Sequence, residues 1–165
     1  FSRTRKSLEH FYPQAKAVKD HDKNDNNISK SEINCFGNFE VYVKNKKLMF
    51  KRLKTKELFA FLVDRKGAGM TAKEICVALF PDDSDDVKNS AYLRQLVLDM
   101  KATLKAVGAE NVFRHEKPYY RIDTGLIECD YLSYLAVGKP EFHGEYMTQY
   151  SWAEETCARL HFKQK

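Results

Sequence analysis

The sequence has 165 residues, of which 43% are hydrophobic and 13% aromatic, so it can bury a core and is not disordered throughout. No apolar run is long enough to span a bilayer, and four scattered cysteines exclude a disulfide scaffold, so a reducing cytoplasm is the expected location. The net charge is +5, and residues 36–123 carry the excess, with 17 Lys and Arg against 12 Asp and Glu. This balance makes a polyanion a candidate partner, although a generic basic domain has the same balance.

The first 32 residues predict a basic helix followed by a linker. Residues 2–19 have helical spacing that Pro13 interrupts, and residues 19–27 are rich in Asn and Asp with no apolar side chain. The Asn- and Asp-rich run lacks the glycine and the closing glutamate of a calcium-binding EF-hand loop. We therefore expect residues 1–32 to be a partly disordered connection.

A small N-terminal sheet follows, with order expected from Ile33. Phe39, Val41 and Val43 alternate with Glu40, Tyr42 and Lys44, which is the period of a strand. Residues 44–46 predict a turn. Leu48 and Phe50 continue the alternation, so a second short strand and a hairpin are expected.

Three helices are predicted next. The first runs from about Lys54 to Lys66 and stops before Gly67. The second opens with the capping-box pattern Thr71…Glu74 and ends at Phe80–Pro81. An acidic loop, residues 81–86, leads to the third and longest helix, from about Val87 to Val107.

The third helix has two different faces. At 100° per residue, one apolar stripe should meet the core: Leu93, Leu96, Val97, Met100 and Leu104. The opposite, outward face should carry Lys88, Ala91, Arg94, Gln95, Leu98, Ala102 and Lys105, with Lys101 at its edge. Asp99 is also expected on the outward face.

The remainder of the chain changes in character. Val112 to His115 and Tyr119 to Ile122 predict two strands of a basic, aromatic hairpin. Residues 124–165 are acidic, and Asp130 to Ala136 and Tyr150 to Phe162 predict two helices.

Motifs for catalysis are missing from the sequence. There is no glycine-rich phosphate loop after a strand, no nucleophile elbow and no zinc-protease motif. No Cys and His spacing fits a zinc site, and Cys35 and Cys76 fit small core residues. We expect neither an enzyme nor a bound metal or cofactor.

The order of these elements, hairpin, two helices, acidic loop, long helix and basic hairpin, is that of an α+β winged helix-turn-helix. A helix fits the major groove of B-DNA, where Arg94 can bond guanine and Gln95 adenine. The thymine methyl groups would meet Ala91 and Leu98. Phosphates would meet Lys88, Lys101 and Lys105 from the helix, Arg114, Lys117 and Arg121 from the hairpin, or wing, and Arg52, Lys54 and Thr55 at the start of the first helix.

Each of these residues also has a structural explanation. Arg94 can instead pair with Asp99 or Glu110 on a solvated face. Leu98 can be a contact between protomers. Asp99 would repel phosphate, although its carboxylate can accept a hydrogen bond from cytosine N4.

Four segments resemble the OmpR/PhoB-type winged-helix DNA-binding domain, and more closely its SARP-type variant: Leu53–Leu62, Lys73–Asp82, Ala91–Leu104 and Arg114–Ile122. The resemblance implies sequence-specific binding of double-stranded DNA, as the effector domain of a bacterial transcription regulator in a two-component system. It also implies a homodimer on DNA and a receiver domain upstream of Phe1. Contact with RNA polymerase would be made by the acidic loop, through Asp82, Asp83, Asp85 and Asp86.

The expected organisation is therefore a connection over 1–32, a winged helix over 33–123 and a short helical extension over 124–165. Residues 144–154 resemble the opening of a bacterial transcriptional activation domain. The sequence departs from the family at Phe80, where tryptophan is common, and at Leu98 and Asp99, where basic residues are common. Leu98, Asp99 and the acidic tail keep a second hypothesis open, a winged-helix protein-interaction module that does not bind DNA.

Overall fold

A computed structural model describes residues 30–164, so the helix and linker predicted before residue 30 lie outside the described residues. The described chain is an α+β structure with five helices and two sheets, compatible with a winged-helix-like fold. Its strands are β1 (Ser31–Asn34), β2 (Glu40–Val43), β3 (Lys46–Lys47), β4 (Met70–Thr71), β5 (Phe113–Glu116), β6 (Tyr119–Ile122) and β7 (Ile127–Cys129). Its helices are α1 (Leu53–Asp64), α2 (Ala72–Leu79), α3 (Asp86–Ala106), α4 (Asp130–Val137) and α5 (Glu154–Gln164).

The first sheet has the strand order β3-β2-β1-β7. Strand β1 pairs antiparallel with β2, where Ile33 faces Val41, and parallel with β7, where Ile33 faces Cys129. Strand β7 thus brings a segment beyond residue 124 into the sheet that begins at residue 31. The sequence did not predict β1 or β7 as strands.

The predicted hairpin is present, but its second strand is Lys46–Lys47 and does not include Leu48 and Phe50 as predicted. Lys44 and Asn45 form the turn, both with positive φ, and β3 ends at Lys47. The Leu48 N–H still donates to the Val41 carbonyl at 2.8 Å. The chain then leaves the sheet, because Phe50 packs edge-on against Phe59 of α1.

Helix α1 lies at the centre of the molecule. Every residue from Leu58 to Asp64 is buried, whereas a helix that packs on one side only buries a single stripe of side chains. Phe59 packs against Phe39, which directly precedes β2, and Phe61 packs edge-on against Trp152 of the C-terminal region. Helix α1 is therefore covered from more than one side, which explains its wide apolar stripe.

The second sheet has the order β4-β6-β5 and holds the C-terminal hairpin against the helices. Met70 of β4 faces Tyr120 of β6, and Arg114 of β5 faces Arg121 of β6. The short strand β4 lies directly before α2. The hairpin is thereby fixed relative to the α2–α3 pair.

A buried carboxylate joins α1 to the C-terminal region. Asp64 accepts hydrogen bonds from the Tyr146 hydroxyl at 2.6 Å and the Thr156 hydroxyl at 2.8 Å, and it pairs with Arg65 at 2.7 Å. The last helix begins later than expected, since residues Ser151–Ala153 form a 3-10 turn before α5. Within residues 30–164, no helix is both long and apolar enough to cross a bilayer.

Candidate nucleic-acid interface

Side-chain caps fix the N-termini of helices α2 and α3, and the sequence predicts the cap of α2. The Thr71 hydroxyl accepts from the Glu74 N–H at 3.2 Å, and the Glu74 carboxylate accepts from the Thr71 N–H at 2.8 Å, so the predicted capping box is confirmed. Helix α3 is capped by Asp85, whose carboxylate accepts from the Lys88 N–H at 3.1 Å. Helix α3 has 21 residues and is therefore about 30 Å long.

The apolar stripe predicted for α3 is confirmed. Its members, Leu93, Leu96, Val97, Met100 and Leu104, are all buried. Asn89 adds a buried polar contact, because its side-chain amide donates to the Asp83 carbonyl at 3.0 Å. The stripe fixes which side of α3 faces outward.

The outward side of α3 is electropositive and exposed. Except for Asp99, the side chains predicted to face outward are exposed: Lys88, Ala91, Arg94, Gln95, Leu98, Lys101, Ala102 and Lys105. Among the described residues, Arg94, Gln95, Lys101 and Lys105 have no hydrogen bond or ion pair with another side chain. Lys88 pairs with Asp83 at 3.2 Å in an exposed position. These groups are available to a ligand.

The expected position of Asp99 on the outward face is wrong. Its side chain is buried and forms an ion pair with Arg52, which precedes α1. The start of α1 covers that flank of α3, and the helical period alone does not reveal such a neighbour. The outer surface of α3 between Lys88 and Lys105 therefore carries four basic side chains and no carboxylate.

The three residues predicted to bind phosphate at the start of α1 are ion-paired or buried, unlike the exposed residues of α3. Arg52 is engaged by Asp99, and Lys54 pairs with Glu57 at 3.0 Å while lying over the Phe80 ring. Thr55 is fully buried, so its hydroxyl cannot reach a phosphate. We leave these three residues out of the interface.

The β5–β6 hairpin presents its basic groups close to carboxylates. Arg114 pairs with Asp123 at 3.1 Å, and Arg121 pairs with Glu116 at 3.1 Å. Such partly exposed pairs contribute little to stability and can exchange for a stronger anion. Lys117 at the tip is exposed and, among the described residues, has no ion pair.

His115 joins the hairpin to α3, and the sequence did not single it out. Its ring stacks on Tyr120 with a centroid distance of 4.1 Å. Partial burial, with the nearby charges of Lys101 and Lys117, lowers the pKa of His115. Lys101 is on α3 and Lys117 on the hairpin, so charges of both elements lie near the His115 ring. We call the surface formed by the outward side of α3 and the β5–β6 hairpin the basic face.

Most acids of the loop before α3 have a structural role. Asp83 accepts from the Asp85 N–H at 2.9 Å and from Lys88, which lowers the pKa of Asp83. Asp85 is the cap, and Asp86 lies in the first turn, where a negative charge stabilises a helix. Asp82 is exposed and has no such contact among the described residues.

One cluster among the described residues could in principle hold a metal ion: Cys35, Cys129 and Asp130. The two sulfur atoms lie 3.5 Å apart and are buried. The Asp130 carboxylate already accepts from the N–H groups of Cys35, Phe36 and Tyr131, between 2.7 and 3.0 Å. Those bonds use the oxygens that a metal would need, so the cluster fits a packing role.

The chain is similar to a known protein in structure and not in sequence. No protein-family model matches the chain, and no curated protein matches it. A solved structure, Mycobacterium tuberculosis EmbR in complex with a low-affinity phosphopeptide, is similar with a TM-score of 0.64 and 14% sequence identity. The match covers 81% of this chain and 42% of the EmbR chain. At this identity, the likeness shows the fold alone.

Proposed function

We propose that this chain is a sequence-specific, double-stranded DNA-binding module of a bacterial transcription regulator, with α3 as the recognition helix and the β5–β6 hairpin as the wing. The observation that carries the proposal is the basic face. Between Lys88 and Lys105, its α3 part has four basic side chains and no exposed carboxylate, and Lys101 of α3 and Lys117 of the hairpin both lie near His115.

The geometry of α3 suits the major groove. Its length of about 30 Å exceeds the groove width of about 12 Å, so several turns can lie along the base edges. Arg94 and Gln95 lie near the middle of the outward side, where they would read bases. Lys101, Lys105 and Lys117 would bind phosphates on either side.

Two further observations support the proposal. The fold is similar to that of EmbR, and the four family-like segments fall on α1, α2, α3 and the β5–β6 hairpin. A homodimer on direct repeats, an upstream receiver domain, the opening of an activation domain in residues 144–154 and contact of Asp82 with RNA polymerase are expectations from the family resemblance. The capping bonds of Asp83 and Asp85 make Asp82 the acid most available for such a contact.

The test is the salt dependence of binding to a fluorescent 20-base-pair duplex. A variant with Arg94, Lys101 and Lys105 replaced by alanine is compared with a control in which exposed Lys66, Lys73 and Lys139 are replaced. Each lost phosphate contact should reduce the slope of log affinity against log salt by about 0.9. We expect the first variant to bind more weakly with a shallower slope, and the control to match the parent protein. Failure of the parent to bind at low salt, or equal losses in both variants, would contradict the proposal.

A protein-interaction module is the second candidate, and Leu98 favours it. Leu98 is 61% exposed in the middle of the basic face, where a lysine or arginine would serve DNA better. Replacing Leu98 with lysine separates the two functions. The substitution should strengthen DNA binding if the basic face contacts a duplex. It should abolish binding to a protein partner if Leu98 becomes buried in the interface with that partner.

A further inference from the structure

A groove lies on another side of the molecule from the basic face. It has a volume of about 840 Å³ and is formed by the β2–β3 hairpin, residues 48–51 and the last turn of α3. On α3, about 100° of rotation per residue places Thr103 about 140° and Val107 about 180° from Leu98 around the helix axis. A duplex lying on the basic face therefore leaves this groove open.

The groove has a basic rim. Its lining includes four lysines and no Asp or Glu: Lys44, Lys46, Lys47 and Lys51. Lys47 lies 3.7 Å from Glu40, whereas the other three have no ion pair among the described residues. The tight turn at Lys44 and Asn45, with φ of 52° and 65°, is the geometry of a two-residue hairpin loop, so the rim is held in a defined shape.

The same segment exposes apolar side chains. Met49, in the groove, is 76% exposed, and Leu53, just beyond it, is 87% exposed. Lysines on a short edge strand such as β3 are explained by protection against pairing with other strands. Such protection does not explain large apolar side chains left in water beside them.

We infer that this groove binds an acidic peptide segment of a partner protein, one that carries at least one large apolar side chain between its carboxylates. Carboxylates on the partner would meet the lysine rim, and the apolar side chain would cover Met49. A DNA backbone fits less well, because it has no apolar side chain to bury Met49.

The test uses the whole chain and a synthetic probe, the acetylated and amidated peptide Asp-Glu-Asp-Leu-Phe-Glu-Asp. The control probe replaces Leu and Phe with Ser and keeps every charge. Methyl-labelled methionine is the reporter, because Met49 is exposed and the other three methionines, Met70, Met100 and Met147, are buried. We expect the first probe to shift the Met49 signal alone, and the Ser probe to bind at least about fivefold more weakly, since it buries no large apolar surface.

Variants locate the site and separate it from DNA binding. Lys46→Glu with Lys51→Glu should weaken the probe at least about tenfold. The matched control, Lys139→Glu with Lys163→Glu, should bind as the parent does, and melting curves confirm that both variants are folded. The probe should also bind equally well in the presence of a saturating duplex, which distinguishes this inference from the proposed function.

Three results would overturn the inference. The first is equal binding of the two probes, which would mean charge attraction without a groove. The second is displacement of the probe by duplex DNA, which would make the groove part of a nucleic-acid site. The third is concentration-dependent self-association that Lys46→Glu with Lys51→Glu abolishes, which would identify a second copy of this chain as the occupant.

Discussion

Charged side chains along α3 belong to two groups with different environments. Asp99 is buried against Arg52, so its charge is largely compensated inside the protein. Arg94, Lys101 and Lys105 remain in water without an ion-pair partner among the described residues. The separation removes the main objection that the sequence raises to DNA binding, because no carboxylate remains exposed on α3 between Lys88 and Lys105.

Arg94 and Lys101 should respond differently to substitution by alanine. If Arg94 reads a base, Arg94→Ala should cost about 1–3 kcal/mol at one base position and relax the preference there. Lys101→Ala should weaken binding to all sequences alike and reduce the salt slope by about 1. Binding titrations against single-base variants of a site measure both effects. An unchanged base preference for Arg94→Ala would reject the assigned orientation of α3.

His115 should couple protonation to stability and to DNA binding. Its pKa is lowered from about 6.5 by burial and by Lys101 and Lys117, so below 6.5 the unfolded chain binds the proton more readily. The contribution of neutral His115 to the free energy of unfolding is thus complete above pH 6.5. It is lost as the pH falls from 6.5 through the lowered pKa of His115 in the folded protein. Replacing His115 with glutamine should flatten this part of the stability curve.

A phosphate bound between Lys101 and Lys117 should reverse the shift and raise the pKa of His115. An NMR titration of the His115 ring with and without duplex DNA measures this change, with exposed His143 as the control. Equal pKa values for His115 in both titrations would indicate that DNA does not approach the junction of α3 and the hairpin.

At the scale of elements, the acidic loop stabilises the N-terminus of α3 through the Asp85 cap. Asp85→Ala should lower the free energy of unfolding by about 0.5–2 kcal/mol, because the N–H of Lys88 loses its cap. Asp85→Asn should retain most of the stability, since asparagine also caps helices. Asp82→Ala, in the same loop but without a capping bond, should leave stability unchanged. Chemical denaturation of the three variants measures these differences, and equal losses at Asp82 and Asp85 would contradict the capping role.

The contact of α1 with the C-terminal region should be strong enough to measure. Tyr146→Phe removes the 2.6 Å hydrogen bond to buried Asp64 and should cost about 1.5–3 kcal/mol, as expected for a bond to a charged group. Tyr119→Phe is the control, because the Tyr119 ring is exposed. Similar losses for both tyrosines would show that the Asp64 contact contributes little.

The sequence predicted the helices well because each carries both a period and a boundary. Thr71 with Glu74 marks the start of α2, and Gly67 and Gly108 lie just beyond the ends of α1 and α3. Strand β7 was missed because three residues are too few to establish a period, and β1 was missed because Ile33 is its one apolar side chain and no alternation is visible. Their pairing joins Ile33 to Cys129, and no local pattern contains that information.

The candidate site was predictable where it depends on one helix and less so where it depends on packing between elements. The helical period identified the outward side chains of α3. It could not show that the start of α1 covers Asp99 or that Thr55 is buried. His115 had no signal of its own in the sequence, since its importance comes from Lys101 on another element.

For the whole molecule, the two surfaces suggest a division of labour. The basic face would hold DNA, and the lysine-rimmed groove would remain free for a protein partner. The groove is formed in part by the last turn of α3, so a partner bound in it would be held in a defined position relative to the DNA.

The most direct test of the central claim is selection of bound sequences from a random duplex pool, sequenced after selection at low and at moderate salt. The account predicts an enriched motif that Arg94→Ala alters at one position, with half-sites repeated at about 10–11 base pairs if two copies bind together. Binding without any enriched motif, or no binding at low salt, would contradict the claim that this chain reads DNA sequence.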